Sequence, residues 1–307
     1  MNWESEYVHR LVETALEEDI GAGDATVLAT IPVLATGKAR IIARQDLVCA
    51  GLPMAERVFR ALDPEMQIGL RVADGEFARK GEVLLHLDGK ARAILTGERT
   101  ALNFLGRLCG IATMVRHFSE KIAGTRAKIR DTRKTTPGLR LLEKYAVKTG
   151  GGTNHRIGLY DAILLKENHI ALAGGVKAAL DQAHSYAALH AKPVALTAYE
   201  EAVPSRASDT VLPIQIEVRD KAELCEALAA GAESVLLDNM TPAEAKVCVE
   251  TARSLRPECV VEISGGITID NVRAYAETGA DFLSSGTLTH SAPAANLSLL
   301  VDSIEDK

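Results

Sequence analysis

The chain has 307 residues, 47% of them hydrophobic and 25% charged, the balance of a folded globular protein and not of a disordered or fibrous one. A formal net charge of -6 argues against nucleic acid as the main partner, since phosphate-backbone binding needs a positive face. No run of about 18 uninterrupted apolar residues occurs, and the opening MNWESEYVHRLVETALEEDIG lacks a basic segment followed by an apolar one, so a cytoplasmic protein without a membrane span is expected.

Trp3 to Glu18 reads as an amphipathic helix, with Trp3, Tyr7, Leu11, Ala15 and Leu16 near one face and Gly21 and Gly23 ending it. The period then shortens to two. GKARIIARQDLVCAG reads as strand, and VADGEFARKGEVLLHLDG as two short strands joined by a turn at Lys80 and Gly81. Lys90, just beyond, lacks the flanking pattern of a cofactor-bearing lysine and is expected to be a solvated turn residue. Helical spacing returns from Thr96 to Arg116 through Ala101, Leu102, Leu105, Leu108 and Ile111, a segment expected to link two domains. Five scattered cysteines, without a CxxC or a Cys/His cluster, read as small buried hydrophobes.

From residue 126 short strands alternate with helices: RAKIRDT, AILLKEN, a helix near Gly175 to His190, then LPIQIEV, SVLLDN, VVEIS and DFLSS. Such alternation builds a parallel α/β barrel, in which strands are buried on both faces and chemistry sits at their carboxyl ends. Lys166, Glu217, Asp238 and Ser264 end AILLK, IQIE, SVLLD and VVEIS, and should converge on one mouth.

Charge is unevenly spread. Arg126 to His169 holds ten Lys or Arg against four Asp or Glu, a local balance of +6 that leaves -12 on the rest. Within it Arg133, Lys134, His155, Arg156 and Lys166 fall on expected loops or strand ends. Arginine offers a planar fork for carboxylates and lysine a compact charge suited to phosphate, so more than one kind of anion is implied. Gly150, Gly151 and Gly152 permit close backbone approach. Lys144 and Lys148 read as a solvated helix face, while Arg140 is open to either reading. VEISGGITIDN and DFLSSGTLTH suggest a second anion site made by Ser264, Gly265, Gly266 and Gly286, because barrel phosphate sites use the last strand loops and a helix start. Glu217 and Asp238 add carboxylates, either for a divalent cation bridging to phosphate or for a developing positive charge. GxxxxGK[ST], GxGxxG after a first strand, HExxH and GxSxG are all missing.

At EEDIGAGDAT, GERTALNFLGRLCGIAT, the block from DTRKTTPG to KENHI, IEV, LDNM, EISGGI and GTLTHS, in that order, the chain resembles the quinolinate phosphoribosyltransferases over nearly its whole length. The resemblance implies an α/β protein with an N-terminal α/β sandwich (1–112), an incomplete, open α/β barrel (113–287) and a last segment (288–307) that returns to the first domain. It implies transfer of phosphoribose from phosphoribosyl pyrophosphate (PRPP) to quinolinate with decarboxylation, in de novo NAD biosynthesis. It also implies magnesium carried with PRPP, no organic cofactor, and a homodimer or higher oligomer with shared active sites.

By the same resemblance Arg99, reaching into the partner, would join Arg133, His155 and Arg156 on the two carboxylates of quinolinate. Lys134 and Lys166 would lie between the substrates. Glu217 and Asp238 would face ribose and magnesium, with Lys134 and Lys166 completing the catalytic set, and Ser264, Gly265, Gly266, Gly286 and His290 would line the 5'-phosphate. A nicotinate-specific relative is disfavoured, because one substrate carboxylate would not require so many arginines. Two departures stand out: an apparent insertion near residues 193–212, and Arg219 in IEVRD, where the family often has an acidic residue.

Overall fold

The computed structural model describes residues 1–190 and 212–305; the apparent insertion near 193–212 lies almost entirely outside them. Helix α1 (Glu6–Ile20) buries Tyr7, Val8, Val12 and Leu16 and ends at Gly21, whose φ of 51° suits a residue without a side chain. Its buried stripe is rotated slightly from the expected one. Leu11 and Ala15 are only half-buried, and Trp3 precedes the helix and packs edge-on against Tyr145, with centroids 4.9 Å apart. Asp24 caps α2 (Ala25–Thr30) by accepting the Val27 N–H at 3.0 Å.

The next elements are β1 (Thr36–Ala43), β2 (Leu47–Val48), α3 (Leu52–Leu62), β3 (Gln67–Leu70), β4 (Phe77–Ala78) and β5 (Val83–Lys90). The strands on either side of Lys80 and Gly81 do not pair with each other. Instead β4 pairs with β2, while β5 lies between β1 and β3, all antiparallel. Lys90 closes β5 with its side chain largely exposed, 3.6 Å from the buried Asp63 carboxylate.

Helix α4 (Ala91–Lys121) has 31 residues, about 46 Å at 1.5 Å per residue, longer at both ends than its sequence period suggested. The residue 112/113 boundary falls inside it. Near its start Gly97 lies against Phe59 of α3, and farther along Ala112 meets Gly150. A Cβ on Gly150 would overlap the Ala112 carbonyl and lie 2.9 Å from Ala112 Cα, so the close approach there is to a helix and not to a ligand.

The second half contains β6 (Lys128–Arg130), α5 (Arg140–Thr149), β7 (Ile163–Leu165), α6 (Glu167–Ala173), α7 (Val176–Leu189), β8 (Ile214–Val218), α8 (Lys221–Ala229), β9 (Ser234–Asp238), α9 (Pro242–Leu255), β10 (Val260–Ser264), α10 (Val272–Ala276), β11 (Phe282–Ser284) and α11 (Thr287–His290). Six parallel strands form one sheet in the order β6-β11-β10-β9-β8-β7. It does not close: the end strands β6 and β7 do not pair with each other among the described residues, and Thr153 bridges to Arg130 at the open side. The last strand, β12 (Leu297–Glu305), pairs antiparallel with β1 in the first sheet. No helix of the described residues is long and apolar enough to cross a membrane.

Two-sided apolar burial of the barrel strands is not what the structure shows. Ile129, Ile216, Val218, Val235, Leu237, Val261, Ile263 and Leu283 are at most 2% exposed and belong to the apolar core. The residues alternating with them are largely polar. Register aligns Glu217, Leu236, Glu262 and Phe282 in one row, and Asp238, Ser264, Ser284 and Arg130 in the next row toward the carboxyl ends. Directly opposed residues of parallel strands share a face, so the barrel interior is polar.

Asp281 shows how the outer layer is tied. Its carboxylate accepts from Arg126 Nε at 2.6 Å, Arg253 Nη2 at 2.7 Å and the Val261 amide at 2.8 Å. Burial alone would raise its pKa, but the Val261 amide, Arg253 and Arg126 outweigh that and hold it below the usual carboxylate range. A depressed folded-state pKa gives stability that is present above the unfolded value and lost as pH falls through the folded one. Asp281→Asn is therefore expected to cost about 2 kcal/mol near neutrality. Urea unfolding of both proteins should show a constant gap from pH 7 to 5 that narrows below about pH 4; a gap independent of pH would exclude this account.

Candidate active site

At the carboxyl ends of the strands, the loop after β6 and the segment after α5 carry the arginines. Arg140 on α5 joins them, donating through Nε to Thr135 Oγ1 at 3.0 Å and through Nη1 to the Ile157 carbonyl at 3.1 Å. Asp161 accepts the Ile157 and Gly158 amides at 2.8 and 3.0 Å, which fixes the turn after Arg156. Arg140 is thus a brace between the loops of Arg133 and Arg156.

Lys144 is not on a solvated face. Its side chain is 4% exposed and its Nζ meets Asp131 at 2.6 Å and the His155 carbonyl at 3.0 Å. The period of α5 suggested solvent because the burying partner, Asp131, lies in a strand end 13 residues earlier. Burial pushes the Asp131 carboxyl up and the Lys144 ammonium down, and each partner's charge opposes the other's shift. Asp131 also accepts from Asn154 Nδ2 at 2.6 Å and from the His155 amide at 2.7 Å.

Arg133 and Arg156 form the basic half of the mouth. Burial, the neighbouring charge of Arg133 and an opposing pull from Asp161 leave the Arg156 guanidinium below its ordinary range. Arg156 Nη1 donates to the Ala162 carbonyl at 3.0 Å, but the Nε atoms of Arg133 and Arg156 are buried without a hydrogen-bond partner among the described residues. Buried polar atoms are normally paired, so two adjacent guanidiniums with orphaned donors define a place for an anion. His155 lies beside them with both nitrogens engaged: Nδ1 accepts the Arg156 amide at 2.8 Å and Nε2 lies 3.0 Å from Gln215 Oε1.

Lys166, between β7 and α6, reaches Glu217 of β8 with Nζ–Oε2 at 2.5 Å. Its own amide donates to His169 Nδ1 at 3.0 Å. Asp238 ends β9, and its carboxylate accepts from Asn239 Nδ2 at 2.6 Å. Asn239 has φ 55° and donates its amide to the Ser264 carbonyl at 2.9 Å, joining the ends of β9 and β10. Gly265 and Gly266 follow with φ 96° and 64°.

Lys134 extends to the other loop. A Cβ on Gly286 would sit 2.9 Å from Lys134 Cδ and 3.0 Å from His290 Nε2, so Lys134, Gly286 and His290 share one corner. Arg107 of α4 braces it, donating to Glu143 through Nε and Nη2 at 3.0 and 2.7 Å, to the Ala292 carbonyl at 3.1 Å and to the Thr289 carbonyl. Thr289 Oγ1 in turn donates to the Lys134 carbonyl at 2.8 Å.

Of the expected residues, Arg99 alone stands apart. It is exposed on α4, eight residues or about 12 Å from Arg107 along the helix. Sequence reasoning missed Arg107, Arg130, Gln215, Asn239, Glu262 and Ser284. For Gln215 and Glu262 a signal existed: a polar residue inside IQIEV and VVEIS must face something polar. Arg219, the departure noted above, pairs with Glu167 and Glu223 at 2.8 and 2.5 Å on the outer rim, beside a cavity of about 170 Å³ lined by Glu217 and Ile170.

No group of three or more His, Cys, Asp or Glu side chains among the described residues could hold a metal unaided. Two carboxylates, Glu217 and Asp238, suit magnesium that takes its remaining ligands from water and substrate phosphates.

An open α/β barrel with a basic pocket, facing carboxylates and glycine-lined loops at one mouth defines an enzyme for two anionic substrates. The family description "Quinolinate phosphoribosyl transferase, C-terminal domain" matches residues 111–203 and 193–300, and the corresponding N-terminal domain matches 24–109. The nicotinate-nucleotide pyrophosphorylase [carboxylating] of Mycobacterium leprae is 39% identical over 285 residues, covering 91% of this chain and 92% of that protein. A quinolinate phosphoribosyltransferase [decarboxylating] of Nicotiana glauca is 35% identical over 305 residues, covering 95% and 81%. The solved nicotinate-nucleotide pyrophosphorylase of Francisella tularensis superposes with a TM-score of 0.85 at 36% identity, covering 97% of this chain and 96% of that one. The chain belongs to the quinolinate phosphoribosyltransferase family.

Proposed function

We propose that this protein transfers phosphoribose from PRPP to quinolinate with decarboxylation, giving nicotinate mononucleotide, pyrophosphate and CO2 for NAD biosynthesis. The observation that carries the reading is that Arg133 and Arg156, two of the three arginines whose buried Nε atoms lack a partner among the described residues, neighbour each other beside His155. A pyridine dicarboxylate supplies the acceptors that the arginines lack. His155 and Arg99 complete that half.

Lys134 and Lys166 lie toward the phosphates of PRPP, and Ser264, Gly265, Gly266, Gly286 and His290 take the 5'-phosphate. The pyridine nitrogen attacks C1 of the ribose as the C1–O bond to pyrophosphate breaks. Positive charge develops on the sugar, and Glu217 and Asp238, fixed beforehand, stabilise it more than the ground state. The ribosylated ring nitrogen is then cationic, so the adjacent carboxylate leaves as CO2 and the ring carbon keeping the electron pair takes a proton. No organic cofactor is needed. Glu217 and Asp238 would hold magnesium, which when bound neutralises charge on the departing pyrophosphate.

Incubating the protein with quinolinate, PRPP and magnesium should yield nicotinate mononucleotide and CO2 in equal amounts; no product across pH and metal would sink the reading. A cytoplasmic homodimer with shared sites belongs to the same proposal, supported by Arg99, which is exposed and makes no hydrogen bond or ion pair within the subunit among the described residues. Arg99→Ala and Lys134→Ala, each inactive alone, are expected to regain up to about a quarter of wild-type activity when mixed, because one site in a mixed dimer is intact. Exchange of subunits without recovery would count against a site built from two chains.

A further inference from the structure

The residue beneath the basic pocket is Glu262, fully buried on β10. Its Oε2 accepts from Arg130 Nη1 at 2.8 Å and from Gln215 Nε2 at 3.0 Å, and its Oε1 accepts from Ser284 Oγ. Arg130 also lies over the Phe282 ring, 3.4 Å from its centroid. Glu262, Gln215 and Ser284 are all buried. We propose that Glu262 is a positioning residue for recognition of the dicarboxylate substrate, fixing the tautomer of His155, and through it the place of Arg156, by way of Gln215.

Hydrogen-bond polarity links the buried acid to His155. An ionised carboxylate only accepts, so Gln215 must turn its Nε2 toward Glu262 and its Oε1 toward His155. Oε1 also only accepts, so the His155 nitrogen 3.0 Å away, Nε2, must carry the proton. In the neutral ring Nδ1 is then a lone pair, and it accepts the Arg156 amide at 2.8 Å. Every link is set by the one before it, from the buried acid to the backbone of an anion-binding arginine. The second carboxylate oxygen favours the same state, since Oε1 lies 3.5 Å from His155 Nε2.

Glu262→Gln keeps the shape and removes the constraint. A glutamine at 262 can donate to Gln215 Oε1, the Gln215 amide can reverse, and its Nε2 then donates to His155 Nε2. His155 must in that case protonate at Nδ1, and the Arg156 amide loses its acceptor. Carboxylate binding should suffer while phosphate binding does not, because the Lys134, Gly286 and His290 corner hangs on Arg107 and Glu143 instead.

The proposal rests on the quinolinate reading, and two measurements keep their failures apart. Nitrogen NMR of the full-length protein should show His155 as the Nε2–H tautomer in the wild type and partly as Nδ1–H in Glu262→Gln. This readout needs no substrate. Steady-state kinetics should show the quinolinate KM raised about tenfold or more, with the PRPP KM within twofold. Should Glu262→Gln fail to fold, Gln215→Met breaks the chain one link along, leaves Arg130 and Ser284 on Glu262, and should raise the same KM. An unchanged tautomer, or both KM values rising together with a fall in thermal midpoint, would overturn the role for Glu262. Wild-type protein that turns over no quinolinate would instead overturn the functional reading, whatever the spectra show.

Discussion

Arg156→Ala is expected to raise the quinolinate KM about a hundredfold without lowering the thermal midpoint of the free protein. The first effect follows from the loss of a guanidinium fork on a carboxylate, worth about 3 kcal/mol, which is roughly two powers of ten. The second follows from what Arg156 does in the empty site. It sits partly buried against the like charge of Arg133, its Nε has no partner, and its pKa is already pushed down by burial and by Arg133. Removing it relieves a repulsion and an unsatisfied donor, so stability is maintained or gained while function is lost, the usual sign of a residue held for its ligand.

Arg156→Lys keeps the charge without the planar fork and should fall between the two. Melting curves with and without quinolinate check both halves. Wild-type protein should be stabilised by the ligand and the alanine variant should not. A quinolinate KM within twofold of wild type, or a large fall in the midpoint of the free protein, would show that Arg156 is a structural residue.

That variant also bears on what the sequence could reveal. Arg133, Lys134, His155, Arg156 and Lys166 stood out because like charges crowded into one stretch are costly unless an opposite charge arrives, and chain position alone displays the crowding. The strand ends Glu217, Asp238 and Ser264 could be placed because the carboxyl ends of parallel barrel strands all face one way. Their alignment in adjoining rows of the sheet follows from that geometry.

The residues that brace the site were hidden for a different reason. Glu143 and Lys144 look like the outer face of a helix, and their partners Arg107 and Asp131 are 36 and 13 residues away. Helical periodicity reports which face is polar, but not whether that face meets water or a buried charge of opposite sign. Glu262 and Gln215 were legible in principle. A strand read as doubly apolar cannot hold a glutamine or a glutamate inside it unless its inner face is polar, and the expectation of an apolar barrel interior obscured that. The pairing of β2 with β4 was likewise beyond a local reading, since the turn at Lys80 and Gly81 looks the same whether or not its flanking strands are partners.

Gly265→Ala is expected to lower kcat about a hundredfold and to cost about 1–3 kcal/mol of stability through a backbone angle that alanine disfavours. At φ 96° an L side chain is strained in any surroundings. Here a Cβ would also overlap Asn239 Oδ1 and lie 2.7 Å from Asn239 Cγ and 2.8 Å from its amide nitrogen. Asn239 cannot yield freely. Its amide ties the end of β9 to the Ser264 carbonyl at 2.9 Å, and its side chain holds the Asp238 carboxylate at 2.6 Å.

Displacing Asn239 therefore releases the carboxylate proposed to face the ribose, and an acid that must reorganise as charge develops loses much of its electrostatic advantage. The quinolinate half is untouched, so quinolinate should still raise the melting temperature. Asn239→Ala removes the clashing oxygen together with the donor to Asp238, which makes the two changes strongly non-additive. The double variant is expected to be no slower than the slower single one. If the losses instead multiply, Gly265 acts on the phosphate loop independently of Asn239, and the link from glycine to carboxylate is broken.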